Sequence, residues 1–356
     1  MKKEKTKTIK DIARELGLNH STIGYALSGK GTVSAATRKR VIEYARQVGY
    51  SPNVLAQRMR QGKTNVIGLV VPDVMFMYVE VVQNLFHSVQ AVKSELQIGL
   101  SEFNRDLENQ SLGIMLDTRV EGLIVKSSFS SVEAIPAQHA LRRVLAAGIP
   151  LVFWGFGPVT DRPRLVEPIE QAAELLVEHF LALGKRDVVL LLPTVPPFPT
   201  IMRTGLEGAQ RRLAQEGLEL RVVHLQTAAE TQRVGGYMAQ FNPATATESG
   251  RRMFRQALGL TPRPTAVITY NDALAIGALI EAREMGIQVP GEVGIASLMR
   301  SPSAAFAPLS LTAVDWKPQW FAQRLLDLLL VQIERGQVIT PGPAECELIV
   351  GATTRG

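Results

Sequence analysis

A single cysteine, Cys346, stands among the 356 residues, so no disulfide within the chain is possible and a reducing compartment suits it. The five histidines, His20, His87, His139, His179 and His224, lie far apart, with no His-x-x-x-His pair and no cysteine cluster to complete a metal site. A Walker loop and a G-x-S-x-G elbow are both missing, and Gly155-Phe156-Gly157-Pro158 lacks the continuation that dinucleotide binding needs. No convergent acid or nucleophile pair can be located, so the chain reads as a non-enzyme without a cofactor. The apolar runs 66–71 and 188–192 are far too short to span a membrane. The basic opening MKKEKTKTIK is not followed by the apolar core of a secretory signal, and the expectation is a cytoplasmic protein.

What the chain does have is a divided charge. Residues 1–63 hold 14 Lys and Arg against 4 Asp and Glu, while the remaining 293 hold 25 against 29. A cationic head neutralises phosphates and releases condensed counterions from a nucleic acid, leaving a mildly acidic body free for another task. With 46% hydrophobic residues, the chain is long enough for two or three domains.

Within the head, Thr8 precedes Ile9, Ile12, Ala13 and Leu16 at helical spacing, with Asp11 placed to complete a capping pattern and Gly17 to end the helix. A second short helix starts near Asn19 and stops at Ser28-Gly29, after a turn of the length found in helix-turn-helix units. Ser34 caps a third helix that ends near Val48. Val41, Ile42, Ala45 and Val48 are expected to close a small core over Ile12, Leu16, Ile23 and Leu27. That arrangement turns His20, Ser21, Gly24 and Tyr25 outward, where a recognition helix meets the major groove.

The run TIKDIARELGLNHSTIGYALSGKGTVSAATRKRVIEYARQVGYSPNVLAQRM resembles, in order and spacing, the DNA-binding head and hinge of the LacI/GalR transcriptional regulators. The resemblance continues through IGLVVPD, VEGLIV, TAVITYNDALAIGAL, VPGEV and a terminal ATTRG. It implies phosphate contacts from Thr8, Asn19, Thr22, Thr32, Ser34, Thr37, Tyr50 and Asn53, and base reading by His20, Ser21 and Tyr25. The family usually has Ser and Arg where this chain has Gly24 and Tyr25, so an arginine-to-guanine contact is unavailable there and the operator should differ. The resemblance further implies that residues 52–63 form a hinge helix and linker, with Met59 and its neighbour Ala56 at the minor groove. Double-stranded operator DNA and a second copy of the chain are the implied partners, on a near-palindromic site.

From residue 66 onward, β-branched runs alternate with helical patterns, which argues for parallel sheets flanked by helices and, at this length, for two lobes. The expected fold class is therefore α/β, and the resemblance implies a three-helix helix-turn-helix head (1–51), the hinge (52–63) and a periplasmic-binding-protein-like core (64–356). Its first lobe is expected at about 64–160 and 291–317, and its second at about 161–290 and 318–356.

Such a core presents a cleft at strand carboxyl ends where a small ligand can sit. Asn271 is the leading polar candidate for effector contact, joined by Arg203, Met299, Tyr78 and Phe241. Against the family pattern, an aspartate is replaced by Gly155, an arginine by Gly205 and an acidic pair by Met299-Arg300. A pocket with those changes lacks the paired hydrogen bonds that hold sugar hydroxyls. Three readings of the core stay open: a less polar or unusual effector, a protein corepressor, or a dimerisation scaffold without effector. A solute-binding protein is the alternative from another class.

Overall fold

The computed structural model describes residues 7–28, 31–50, 64–75, 77–193, 200–224, 243–307 and 310–355. The chain divides into two compact units, Met1–Thr64 and Asn65–Gly356.

The head contains helices α1 (Ile9–Leu16), α2 (His20–Ser28) and α3 (Ala35–Gln47). Thr8 closes a capping box: its Oγ1 accepts from the Asp11 amide at 3.4 Å, and its own amide donates to Asp11 Oδ2 at 2.9 Å. Two otherwise orphaned donors are thereby satisfied at the α1 start. Gly17 ends α1 at φ 65°, a left-handed conformation that glycine adopts without a Cβ clash. Ser34 Oγ accepts from the Thr37 amide at 3.1 Å and starts α3. Ile12, Ala13, Ile23, Ala26, Val41 and Ala45 form the buried core, ringed by Leu16, Leu27 and Val48. Ile42, expected in that core, is only half-buried, and the small residues Ala13 and Ala26 let the helices close instead.

The larger unit holds two sheets. The first has the order β2-β1-β3-β4-β5 and is parallel throughout, from β1 (Val66–Val71), β2 (Glu95–Leu100), β3 (Gly122–Val125), β4 (Leu151–Trp154) and the two-residue β5 (Arg164–Leu165). In the central register Leu69 lies between Ile98 and Ile124. The second has the order β11-β10-β9-β8-β6-β7, from β6 (Val188–Leu192), β7 (Arg221–His224), β8 (Ala266–Thr269), β9 (Gly294–Ser297), β10 (Thr312–Asp315) and β11 (Glu347–Ile349). All its pairings are parallel except β10 with the edge strand β11. Strands buried along their whole length, such as β1, β6 and β8, read as continuous apolar runs because helices cover both faces.

Those helices are α4 (Met77–Ala91), α5 (Arg105–Asp117), α6 (Ala140–Ala146), α7 (Ile169–Ala182), α8 (Thr200–Ala214), α9 (Pro243–Leu258), α10 (Asp272–Glu284) and α11 (Pro318–Arg335). Glycines set some of the closest approaches. A Cβ on Gly250 would lie 2.2 Å from the Leu274 carbonyl oxygen, and one on Gly277 2.0 Å from that of Thr247, so α9 and α10 cross backbone to backbone.

The C-terminal part corrects the expected lobe assignment. Strands β9 and β10, within 291–317, belong to the second sheet rather than the first lobe. Helix α11, expected in the second lobe, packs on α4, β3 and β4 of the first. Buried Gln332 fixes it there: its Nε2 donates to the Leu151 carbonyl at 3.0 Å and its Oε1 accepts from the Leu151 amide at 3.2 Å. The chain then returns to the second sheet as β11. Among the described residues, no helix is long and apolar enough to cross a membrane.

Candidate functional site

In the head, the first turns of α2 present a polar face. Ile23 and Ala26 point into the core, while His20 and Ser21 are exposed and Tyr25 is 51% exposed. The Tyr25 ring is nonetheless seated, because a Cβ built on Gly31 (φ 76°) would lie 2.9 Å from its Cγ. Gly24, one position before it, faces open space, so no packing reason forbids a side chain there. Thr8, Asn19, Thr32 and Ser34 are also exposed, with Thr22, Thr37 and Tyr50 half-buried beside them. Helices α1 and α3 are tied through Glu15, which accepts from Lys7 Nζ at 2.8 Å and from the Tyr44 hydroxyl. Asn53, Ala56 and Met59 lie outside the described residues, as does the rest of the expected hinge.

In the larger unit a cavity of about 300 Å³ opens where strand carboxyl ends of the two sheets meet. From the first lobe come Tyr78 at the α4 start, Phe103 after β2, Lys126, Ser127, Ser128 and Phe129 after β3, and Trp154 and Phe156 at the end of β4. Thr200 and Ile201 on α8 and Tyr270 after β8 complete the second-lobe wall. Tyr78 meets Trp154 edge to face at 5.3 Å, and Phe321 on α11 backs Trp154 at 5.8 Å.

Lys126 is the ionic centre of this wall. Its Nζ pairs with Glu167, and the two side chains are 10% and 0% exposed. The same ammonium lies 5.4 Å from the Tyr78 ring centroid and 5.9 Å from that of Trp154. A buried ion needs such compensation to remain charged. The loop after β3 is held from behind by buried Glu108, whose carboxylate accepts from Ser127 Oγ at 2.8 Å and from the Ser128 amide at 2.6 Å. Behind β1, burial pushes the Asp73 carboxyl up to about 6, opposed by the Met75 amide and by the positive charge of Lys126.

With this geometry in place, the comparisons with known proteins fall into line. Residues 8–53 match bacterial regulatory proteins of the lacI family, and residues 177–354, half of the chain, match a periplasmic binding protein-like domain. The repressor CytR of Escherichia coli K12 is 24% identical over 99% of this chain and 98% of its own length. The repressor PurR of Erwinia tasmaniensis is 27% identical over 96% and 95% respectively. In fold, a crystal structure of the lac repressor dimer bound to operator and the anti-inducer ONPF superposes with a TM-score of 0.79, at 20% identity, over 99% of this chain and 100% of that one. The chain belongs to the LacI/GalR family of DNA-binding transcriptional regulators.

Of the nominated effector-site residues that are described, Tyr78 alone lines the cavity. Asn271 is fully buried and caps α10, its Oδ1 accepting from the Leu274 amide at 3.0 Å, while its Nδ2 has no hydrogen-bond partner among the described residues; it is not among the described residues that line the cavity, although its neighbour Tyr270 is. Arg203 points to solvent and pairs with Glu207 at 3.7 Å, one helical turn along α8. Met299 is buried in the core near Ser297, whose Oγ donates to its carbonyl at 2.8 Å. Phe241 lies outside the described residues. Gly205 is a packing position: a Cβ there would already lie 2.8 Å from Ile169 Cγ1. Gly155, at φ 82°, leaves room for the Lys126–Glu167 pair, since its Cβ would stand 2.7 Å from Lys126 Nζ and 2.8 Å from Glu167 Oε2. The residues missed were Lys126, Trp154 and the aromatic wall. Their one available signal was the Lys-Ser-Ser-Phe-Ser run immediately after a fully buried strand.

Proposed function

We propose that the protein is a repressor that binds a near-palindromic operator as a homodimer and responds to a small molecule held in the cavity between its lobes. The solvent-facing start of α2 carries the DNA reading: His20, Ser21 and Tyr25 stand on one exposed face while Ile23 and Ala26 anchor the other. A helix so presented has the geometry for base-edge contact in the major groove, with Thr8, Asn19, Thr22, Thr32, Ser34, Thr37 and Tyr50 placed for phosphates. Asn53, Ala56 and Met59 complete the proposed interface in the hinge.

Dimerisation is supported by edge strand β2, whose Ile98 and Leu100 are 43% and 45% exposed, with exposed Phe86 on α4 nearby in the chain. An apolar edge strand with unpaired backbone groups invites a partner. One recognition helix reads only a few base pairs, so two copies are needed for a specific site. Acting on chromosomal DNA, the protein works in the cytoplasm. A ligand in the cavity changes DNA affinity only to the extent that it binds two lobe arrangements with different strength.

In vitro selection from a random duplex pool, using the full-length protein, tests the reading. The enriched sites are expected to be near-palindromes with half-site centres about one duplex turn apart. Binding to them should weaken steeply with salt as counterions are retained. Failure to enrich any sequence, or full affinity in a stable monomer, overturns it.

A further inference from the structure

We propose that the cavity takes a flat ring compound bearing a carboxylate, and that Lys126 is the group that binds this carboxylate. The proposal rests on reading the cavity as the effector site and names the chemical class that site takes. Half of the twelve wall residues are aromatic: Tyr78, Phe103, Phe129, Trp154, Phe156 and Tyr270. Such walls offer ring faces and edges to a π system. A volume of about 300 Å³ lies at the small end of ligand pockets and suits one or two rings.

The sign of the ligand's charge follows from how the ion pair is oriented. Lys126 is the one charged side chain in the described wall, whereas Glu167 is fully buried and does not line the cavity. A ligand therefore meets the ammonium first. An ammonium has three N–H donors, and its pairing with Glu167 leaves donor capacity over. Two more polar atoms in wall residues, Trp154 Nε1 and Ser128 Oγ, are buried without a hydrogen-bond partner. The unpartnered acceptors nearby, Asp73 Oδ2 and Glu167 Oε2, belong to residues outside the wall. The spare N–H capacity of the Lys126 ammonium thus calls for an anionic, acceptor-bearing edge on the ligand.

A cationic ring is disfavoured on the same geometry, because the Lys126 ammonium already lies over the Tyr78 and Trp154 rings and would repel it. A neutral sugar supplies neither a π face to the aromatic wall nor an opposite charge to the ammonium. A ring carboxylate supplies both, placing its oxygens at Lys126 and its ring among the aromatic side chains.

Titration calorimetry on the full-length protein, with benzoate, 4-hydroxybenzoate and 2-naphthoate as probes, tests the proposal. Matched carboxamides, cyclohexanecarboxylate and glucose serve as comparisons. At least one aromatic carboxylate should bind roughly tenfold or more tighter than its carboxamide, as expected for a charge-assisted hydrogen bond in a buried site. It should also bind more tightly than cyclohexanecarboxylate and glucose. The double variant K126M/E167Q removes both charges without leaving one of them buried alone. It should lose at least about tenfold for the carboxylate and stay within about threefold for the carboxamide. Equal binding of carboxamide and carboxylate, tighter binding of glucose, no binding of any carboxylate at about 10 mM, or an unaffected double variant overturns the proposal. The comparison within the unmodified protein does not depend on the variant folding. If a carboxylate binds but leaves affinity for the selected operator unchanged, the ligand class stands and the regulatory reading of the cavity falls.

Discussion

Replacing Gly155 with alanine tests the arrangement at the heart of the cavity wall. The residue sits at φ 82°, where a non-glycine residue costs about 1–2 kcal/mol. Its new Cβ would lie 2.7 Å from Lys126 Nζ and 2.8 Å from Glu167 Oε2, so the pair must move by several tenths of an ångström. With side chains 10% and 0% exposed, neither partner has solvent to retreat into. Losing one partner of a buried pair costs about 3–5 kcal/mol, and a strained but surviving pair should cost a fraction of that, roughly 1–2 kcal/mol. The expected total is about 2–4 kcal/mol.

Gly148→Ala isolates the backbone contribution, because Gly148 has φ 66° and nothing within 4 Å of its would-be Cβ. It should cost only about 1–2 kcal/mol. Urea unfolding followed by tryptophan fluorescence reports on the right unit, since Trp154, Trp316 and Trp320, the chain's three tryptophans, all lie within Asn65–Gly356. In the K126M/E167Q background the side chains keep most of their bulk but lose their charges, so the surplus of Gly155→Ala over Gly148→Ala should shrink by the electrostatic part and keep the steric part. Equal costs at the two glycines in the unmodified protein, or a surplus that does not shrink at all without the charges, would refute the argument. Gly155→Asp, which installs the family's usual carboxylate, should destabilise still more by adding a negative charge beside Glu167, and should not produce sugar binding.

Three further outcomes are expected. His20→Ala and Tyr25→Ala should each relax base preference at single operator positions by roughly 1–3 kcal/mol, measured by competition gel shifts; uniform loss over all sequences would remove them from the reading face. Asp73→Asn should stabilise the protein above pH 6 and not near pH 4. The native carboxyl is held at about 6, above its ordinary 3.8, so the native state binds more protons in that window and stability falls as pH rises through it, by up to about 3 kcal/mol. A gain that is the same at both pH values would show that proton uptake is not its source. Asn271→Ala should lower the stability of the larger unit by about 0.5–2 kcal/mol through loss of the α10 cap, and Asn271→Ser should restore most of it. An unchanged unfolding midpoint would defeat the capping role.

The fold was legible where burial leaves a periodic trace. Strands β1, β6 and β8 are buried at every residue and read directly as apolar runs. Edge strand β2 mixes exposed and half-buried residues, with none fully buried, and so leaves no apolar run to mark its start at Glu95. Two-residue β5 leaves no pattern to detect. The lobe assignment of the C-terminal part failed for a different reason. The apolar stripe of α11 tells which face is buried but not which sheet it covers, and a helix crossing between lobes has the same periodicity as one that stays. What decides its lobe is the pairing of Gln332 with Leu151, a long-range contact.

The cavity was harder to read because the sequence shows which family residues are missing without showing what fills their space. Gly205 and Gly155 both look like deletions of a charged ligand contact. At Gly205 the neighbour is the Ile169 side chain, which would have to shift before any residue larger than glycine could be accommodated. At Gly155 the space belongs to Lys126 and Glu167, so the carboxylate of the family pattern is absent there and Lys126, with Glu167 buried behind it, lines the cavity instead. If Lys126 binds the ligand as proposed, a cation serves where the family pattern has a carboxylate, and the sign of charge the site selects is reversed. A site of this kind discriminates through the unpaired donors it leaves when the wrong ligand binds. The sugar-binding residues are therefore poor guides to this pocket, and the lysine after β3 is the better one.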